Sequence, residues 1–144
     1  MKRPVGVTVL GILCIFAGGG GLLSPLHRPI LFFGKIYIGT YASIFRIVPN
    51  IVAIYLGYGL LKPLPHTWYM YLLIASTGIV SLNLNLLHAP KIWELCLLLQ
   101  AKVEAIPRLV KFTVDTHYLL MALYTLTALY VYVNKSYFWG EADI

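Results

Sequence analysis

The sequence predicts an all-α integral membrane protein that forms a single domain, residues 1–144, with four transmembrane helices. Hydrophobic residues make up 60% of the chain and charged residues only 11%, and the mean hydropathy is +0.81. Soluble domains contain about 25% charged residues, so this composition is typical of a membrane protein. In addition, four charge-poor stretches approach the roughly 20 apolar residues that a helix needs to cross a bilayer.

The four predicted spans are bounded by charges and prolines. We place them at residues 5–23, 43–61, 68–87 and 116–134. Pro63 and Pro65 cannot continue the second span, so the second and third spans should form an antiparallel helical hairpin. Asp115 and Lys135 bound the fourth span. Four spans put both termini on the same side of the membrane.

Arg46 makes the start of the second span ambiguous. Residues 47–61 are free of charge but are too few for a crossing, so the span must extend upstream. A start near Ser43 lets Arg46 snorkel to the membrane surface. A start at Ile36 would carry it roughly 15 Å inwards at 1.5 Å per residue. We favour the surface position; a buried Arg46 would need Asp115 or an acid of a partner chain.

Residues 91–115, between the third and fourth spans, are too charged to cross a bilayer and too apolar for an ordinary loop. Because Pro107 should break or kink a helix, we expect one or two short helices lying on the membrane surface, or a surface that contacts another membrane subunit.

Aromatic residues flank the third and fourth spans, as is typical of a membrane–water boundary. Trp68 begins the third span, and Tyr137, Phe138 and Trp139 follow the fourth. Ordering the polar residues beyond them costs backbone entropy. We therefore expect residues 137–144 to contact a neighbouring subunit, or alternatively the turn around Pro63.

The distribution of basic residues gives conflicting orientations under the positive-inside rule. The connections after the first and third spans carry most of the Lys and Arg, but Lys2 and Arg3 directly adjoin the first span. We favour cytoplasmic termini, in a prokaryotic cell membrane or internal membrane. The basic residues form no patch with stacking aromatics, so we expect no nucleic-acid partner.

Small residues at helical spacing mark packing faces in the first two spans. In membranes such residues let helix backbones approach closely. The predicted packing residues are Gly11, Cys14, Gly18, Gly21, Ala53 and Gly57.

A polar stripe is predicted along one face of the third span. Its members, at steps of four, four and three residues, are Thr77, Ser81, Asn85 and His88. Polar groups in hydrocarbon need partners, so this face should look towards another helix or a cavity. We favour structural hydrogen bonding over a substrate path. Asn83 and Asn50 point elsewhere and could each face a second partner.

His88, His117 and His27 are expected near the same membrane surface and are the candidate ligands of a haem, a quinone or a pigment. No spacing motif joins them, and we favour ordinary interfacial histidines. We predict no metal site and no dedicated cofactor, although bound lipid is expected.

The sequence predicts no catalytic residues. All five carboxylates lie outside the predicted spans, whereas proton- and cation-coupled transporters generally use an acid within the membrane. The preferred function is a non-catalytic accessory or structural subunit of a larger membrane complex, which would bind other subunits through residues 91–115 and 137–144. The alternatives are a homo-oligomeric channel or carrier for a small solute, and a cofactor-binding subunit of an electron-transfer complex.

Two short segments resemble small uncharacterised four-helix membrane proteins of bacteria and archaea. They are the start Lys2-Arg3-Pro4-Val5-Gly6-Val7-Thr8 and the turn Gly57-Tyr58-Gly59-Leu60-Leu61-Lys62 with Trp68 shortly after. The resemblance covers about a third of the chain. It implies a four-helix fold and no activity.

Overall fold

The computed structural model describes residues 4–25 and 28–139. The protein is 82% helical, and four helices are long and apolar enough to cross a membrane. They are α1 (Val5–Leu23), α2 (Gly39–Leu61), α3 (Pro65–Leu87) and α5 (Ile106–Val133). The other elements are β1 (Ile30–Phe32), β2 (Lys35–Tyr37), α4 (Ala89–Leu98), a 3-10 turn (Val103–Ala105) and α6 (Ser136–Trp139). The all-helical fold with four such helices confirms the coarse prediction.

The helix boundaries follow proline chemistry. Helix α1 has the bounds predicted for the first span, whereas α2 begins at Gly39, four residues earlier than predicted. Helices α3, α4 and α5 each have a proline in the first turn. There a missing N–H costs nothing and the fixed φ suits the helix. Pro107 therefore opens α5 ten residues before the predicted start, instead of breaking a surface helix.

A β-hairpin, which the sequence analysis did not predict, fills the connection between α1 and α2. Ile30 pairs with Tyr37 and Phe32 with Lys35. The two residues between the strands, Phe33 and Gly34, have φ of 49° and 70°. Positive φ at both positions is what a two-residue type I′ turn requires.

The long helices form two pairs. Helix α1 packs mainly against α2, and α3 mainly against α5. The pairs meet in a core cluster at the end where α1 begins and α5 ends. Its buried members are Val7, Leu56, Leu60, Trp68, Tyr71, Ala75, Val131, Tyr137 and Phe138. We call this the aromatic end of the bundle.

The opposite end, which we call the hairpin end, is closed by different elements. There the β-hairpin contacts α3 and α4, and α4 packs on the first turns of α5. The buried side chains include Leu31, Ile92, Cys96 and Ile106. The aromatic end and the hairpin end are thus packed separately, and the middle of the bundle lies between them.

Candidate functional site

Glycines bring α1 and α2 into close contact. A Cβ added at Gly57 would lie 2.5 Å from the carbonyl oxygen of Gly11, and one added at Gly18 would lie 2.5 Å from that of Asn50. Gly21 faces the Asn50 side chain, which donates a hydrogen bond to the Arg46 carbonyl at 2.8 Å. The four predicted packing glycines thus lie at this contact, and Asn50 points towards α1.

Arg46 connects the start of α2 with the end of α1. Its guanidinium donates to Ser24 Oγ at 3.5 Å, Arg28 O at 3.2 Å and Pro29 O at 3.3 Å. Because α2 begins at Gly39, Arg46 lies about 10 Å from the start of the helix, a distance between those that the two predicted helix starts give. Its hydrogen bonds go to a hydroxyl and to backbone carbonyls, while Asp115, the expected acid, is exposed. Among the described residues the ion pair that forms is Lys91–Glu94, at 2.8 Å.

Two members of the predicted polar stripe hold the tip of the β-hairpin. Asn85 Oδ1 accepts a hydrogen bond from the Gly34 amide at 2.8 Å, and Ser81 Oγ accepts one from the Phe33 amide at 3.2 Å. Asn85 Nδ2 lies 3.4 Å from Leu31 O and also 3.4 Å from His117 Nε2. Ser81 and Asn85 are both buried. We call this set of hydrogen bonds the hairpin latch.

The other two members of the stripe lie outside the latch. Thr77 is exposed and donates to the Leu73 carbonyl of its own helix at 2.8 Å. His88 is also exposed, and its Nδ1 lies 2.9 Å from Leu84 O. A Cβ at Gly34 would lie 2.6 Å from His88 Nδ1, so the hairpin turn fits beside this ring only because residue 34 is glycine. The stripe is therefore divided between a buried part and an exposed part.

The described histidines take part in local contacts. His117 Nδ1 lies 2.8 Å from the carbonyl of Thr113, one turn earlier, while its Nε2 faces Asn85. His27, the third candidate cofactor ligand, lies outside the described residues. Across residues 4–25 and 28–139, no three His, Cys, Asp or Glu side chains are grouped as metal ligands.

The residues after α5 fold back on their own chain. The Tyr137 hydroxyl donates to Leu60 O at 3.4 Å, and the Trp139 ring lies edge-on to Trp68 with 5.3 Å between centroids. The indole N–H of Trp68 donates to Val131 O at 3.1 Å. Residues 137–139 thus lie beside the turn around Pro63, which was the alternative contact predicted for this segment. Residues 140–144 lie outside the described part of the chain.

A cavity of about 360 Å³ lies in the middle of the bundle, between the two helix pairs. All four long helices line it, and its lining includes Cys14 and Ala53, which were predicted only as packing residues. The lining residues that carry a polar or sulfur-containing side chain are Cys14, Tyr71, Tyr124 and Thr127. No sequence pattern predicted this cavity, because its lining residues are far apart along the chain and meet only when the pairs pack.

Comparisons with models of known protein families, with curated proteins and with solved structures found no match to this chain. The resemblance to small prokaryotic four-helix membrane proteins therefore stays a prediction.

Proposed function

We propose that the chain is an integral membrane protein in which the four long helices span the bilayer and the hairpin end lies at one membrane surface. Helix α5 has 28 residues, about 42 Å at 1.5 Å per residue, whereas the hydrocarbon layer is about 30 Å thick. The extra length suits the first turns of α5, where Arg108 and Lys111 are exposed. Helix α4, with exposed Trp93 beside Lys91 and Glu94, then lies along the headgroups as the predicted surface helix.

Within that setting, we propose a non-catalytic accessory or structural subunit of a larger membrane complex. The observation that carries this proposal is the outer face of α3. Exposed residues follow one another there at steps of three or four, from the aromatic end to the hairpin end. They are Tyr69, Leu73, Ser76, Val80, Asn83 and Leu87, and the exposed Thr77 adjoins Ser76. Small polar residues at this spacing favour contact with a helix of another subunit.

Asn83 is the most informative residue of this face. It lies about one turn inside the end of α3 and is exposed. Its Nδ2 donates to Ile79 O at 2.9 Å, and within the described chain its Oδ1 accepts no hydrogen bond. A side-chain carbonyl facing hydrocarbon has no water to bind, so a donor from a partner helix is the group that would satisfy it.

The inward-facing polar residues support a structural role for this chain. Ser81 and Asn85 are engaged in the hairpin latch, and Arg46 in joining α1 to α2. A substrate path would need polar groups that can exchange partners with a solute, whereas Ser81 Oγ, Asn85 Oδ1 and Arg46 Nη2 are hydrogen-bonded to backbone atoms of the same chain.

The proposal is tested by purification from the native membrane in mild detergent. We expect a constant set of co-purifying membrane subunits with the wild-type chain. The double variant Ser76→Leu with Asn83→Leu should lose these subunits and stay folded. The control is Thr125→Leu, which changes an exposed threonine on α5 and should keep them. Retention of every subunit by the double variant would refute the role of the α3 face.

Other outcomes of the same purification favour the alternatives. A symmetric assembly of this chain alone would favour the homo-oligomeric channel or carrier. A visible absorption band that follows the protein would favour a cofactor-binding subunit.

A further inference from the structure

We propose that the cavity between the two helix pairs binds one neutral membrane lipid that carries a carbonyl or hydroxyl oxygen. The ester of an acyl lipid and the ring of an isoprenoid quinone both present this chemistry. The inference rests on the membrane setting proposed above and is independent of the accessory-subunit role. Extraction of the chain from membranes only by detergent tests that setting separately.

The cavity is closed on one side and open on another. Three of the residues that line it from α2 and α3 are enclosed: Leu56 is 3% exposed, Tyr71 7% and Ala75 2%. Most lining residues of α1 and α5 are exposed, as Leu13 is 57% exposed and Leu123 47%, and Pro49 of α2 is exposed as well. The cavity is thus open on the side of the bundle. In a bilayer this opening faces lipid, so the occupant enters from the membrane.

The lining selects a neutral and mainly apolar occupant. None of the residues that line the cavity is Lys, Arg, Asp, Glu or His. A phosphate or carboxylate would therefore be buried without a countercharge, which is strongly unfavourable. The volume of about 360 Å³ falls within the range of roughly 300–1,000 Å³ typical of sites for small molecules. Apolar cavities of this kind take up apolar ligands rather than water.

Hydroxyl groups on one side of the cavity suit an oxygen-bearing ligand. The Thr127 hydroxyl donates to Leu123 O at 2.8 Å, and the Tyr71 hydroxyl lies beside the Thr127 side chain. The Tyr124 hydroxyl belongs to the same lining, and Tyr124 has no hydrogen bond from its side chain within the described chain. Tyr124 is 36% exposed, and in a bilayer a hydroxyl at the open side of the cavity would meet hydrocarbon rather than water. A carbonyl oxygen of the ligand would supply its hydrogen-bond partner.

The Tyr124 ring is positioned by a glycine of the neighbouring helix. A Cβ added at Gly78 would lie 3.2 Å from the ring, so the absence of a side chain lets the ring approach α3 closely. Gly78 is a positioning residue in this arrangement. The opposite part of the lining, around Pro49 and Leu120, contains no side-chain oxygen or nitrogen, and the apolar part of the lipid would lie there.

Photocrosslinking of the protein in phosphatidylcholine nanodiscs tests the site. One arm uses a diacylglycerol with a diazirine on an acyl chain, and the other uses a prenylated benzoquinone with a diazirine on its tail. We expect at least one probe to label enclosed lining residues of α2 or α3, and the probe that does so identifies the source of the ligand. Labelling confined to the outer faces of α1 and α5 would show ordinary surrounding lipid and overturn the proposal.

Matched variants make the test specific. Ala53→Leu or Ala17→Leu, which fill the cavity, should each lower the labelling of enclosed residues at least fivefold. Ala122→Leu, an exposed alanine on α5 outside the lining, should leave it unchanged. All variants must elute as folded protein. Equal labelling of the enclosed residues in the cavity-filling variants and in the control would overturn the proposal that lipid binds in this cavity.

A second pair of variants tests the hydroxyl groups that would bind the oxygen atom of the lipid. The double variant Tyr71→Phe with Tyr124→Phe should raise the concentration of probe for half-maximal labelling about tenfold, while Tyr118→Phe, on the exposed side of α5, should not. No change in the double variant would overturn the assignment of a carbonyl or hydroxyl ligand.

Discussion

Replacing Asn85 by leucine should release the tip of the β-hairpin from α3. Asn85 is 4% exposed, and its Oδ1 accepts the hydrogen bond of the Gly34 amide at 2.8 Å. Leucine fills similar space but accepts no hydrogen bond, so the buried amide of Gly34 loses its partner. The contacts of Asn85 Nδ2 with Leu31 O and His117 Nε2, both at 3.4 Å, are lost as well.

The magnitude follows from these contacts. A buried donor left without an acceptor costs about 1–3 kcal/mol. The two contacts at 3.4 Å are long and add little, since polar contacts between membrane helices average about 0.6 kcal/mol even when well formed. We therefore expect Asn85→Leu to lower the free energy of unfolding by about 2 kcal/mol. Because 1.4 kcal/mol is a tenfold change, this is about a 30-fold change in the unfolding equilibrium.

The assay is unfolding by increasing mole fraction of SDS in mixed micelles, combined with hydrogen exchange of the hairpin amides. The control is Asn83→Leu, which makes the same substitution two residues away on an exposed position. We expect the control to change the unfolding free energy by less than about 0.5 kcal/mol and to leave the exchange of the Gly34 amide unchanged. Equal effects of the two variants would refute the hairpin latch.

Three further predictions concern other contacts. Gly57→Leu should lower the unfolding free energy by about 1–3 kcal/mol, because the added side chain collides with the backbone of α1. Gly19 lies in open space, so Gly19→Ala should instead raise the unfolding free energy by up to about 1 kcal/mol. Unfolding in mixed micelles measures both effects. Arg46→Leu should lower the unfolding temperature in detergent. Arg46→Lys should recover only part of the loss, since a lysine cannot reproduce the several hydrogen bonds of the guanidinium group. An unchanged unfolding temperature in Arg46→Leu would leave only the interpretation that Arg46 snorkels to the membrane surface. Tags at the two ends of the chain should be accessible from the same side of sealed vesicles, and tags on opposite sides would contradict four spans.

The four long helices could be predicted from the sequence because charge and proline bound them directly. The first span was predicted from its charge-free window with the bounds that α1 has. In the structure Pro4 precedes the helix, and Ser24 ends it by bonding to the Gly21 carbonyl. The starts of α2 and α5 were placed too late, because charge was taken as a boundary. Arg46 lies within α2, where backbone carbonyls accept its hydrogen bonds.

The β-hairpin and the division of the polar stripe into a buried and an exposed part could not be predicted from the apolar stretches of the sequence. A search for stretches of about 20 residues passes over two strands of three residues each. Phe33-Gly34 is also not one of the residue pairs that typically mark a two-residue hairpin turn, so Gly34 alone pointed to a turn. Helical periodicity correctly places Thr77 and Ser81 on neighbouring positions, but it cannot tell which of them faces the hairpin. That depends on how α3 is rotated against α5.

The separate packing of the two ends has an energetic consequence for the middle of the bundle. At the aromatic end Tyr137, which follows α5, bonds to Leu60 of α2, and at the hairpin end Asn85 of α3 binds the hairpin that joins α1 to α2. The two helix pairs are thus connected at both ends, and closing the cavity would require these contacts to shift. A fully enclosed void costs about 24 cal/mol per Å³, so for 360 Å³ the upper limit is about 9 kcal/mol. Because the cavity is open on the side of the bundle, surrounding lipid chains would supply part of the missing contacts and lower this cost. The apolar molecule proposed to bind there should therefore stabilise the bundle by less than about 9 kcal/mol, and filling the cavity with Ala53→Leu should make the stability less dependent on added lipid.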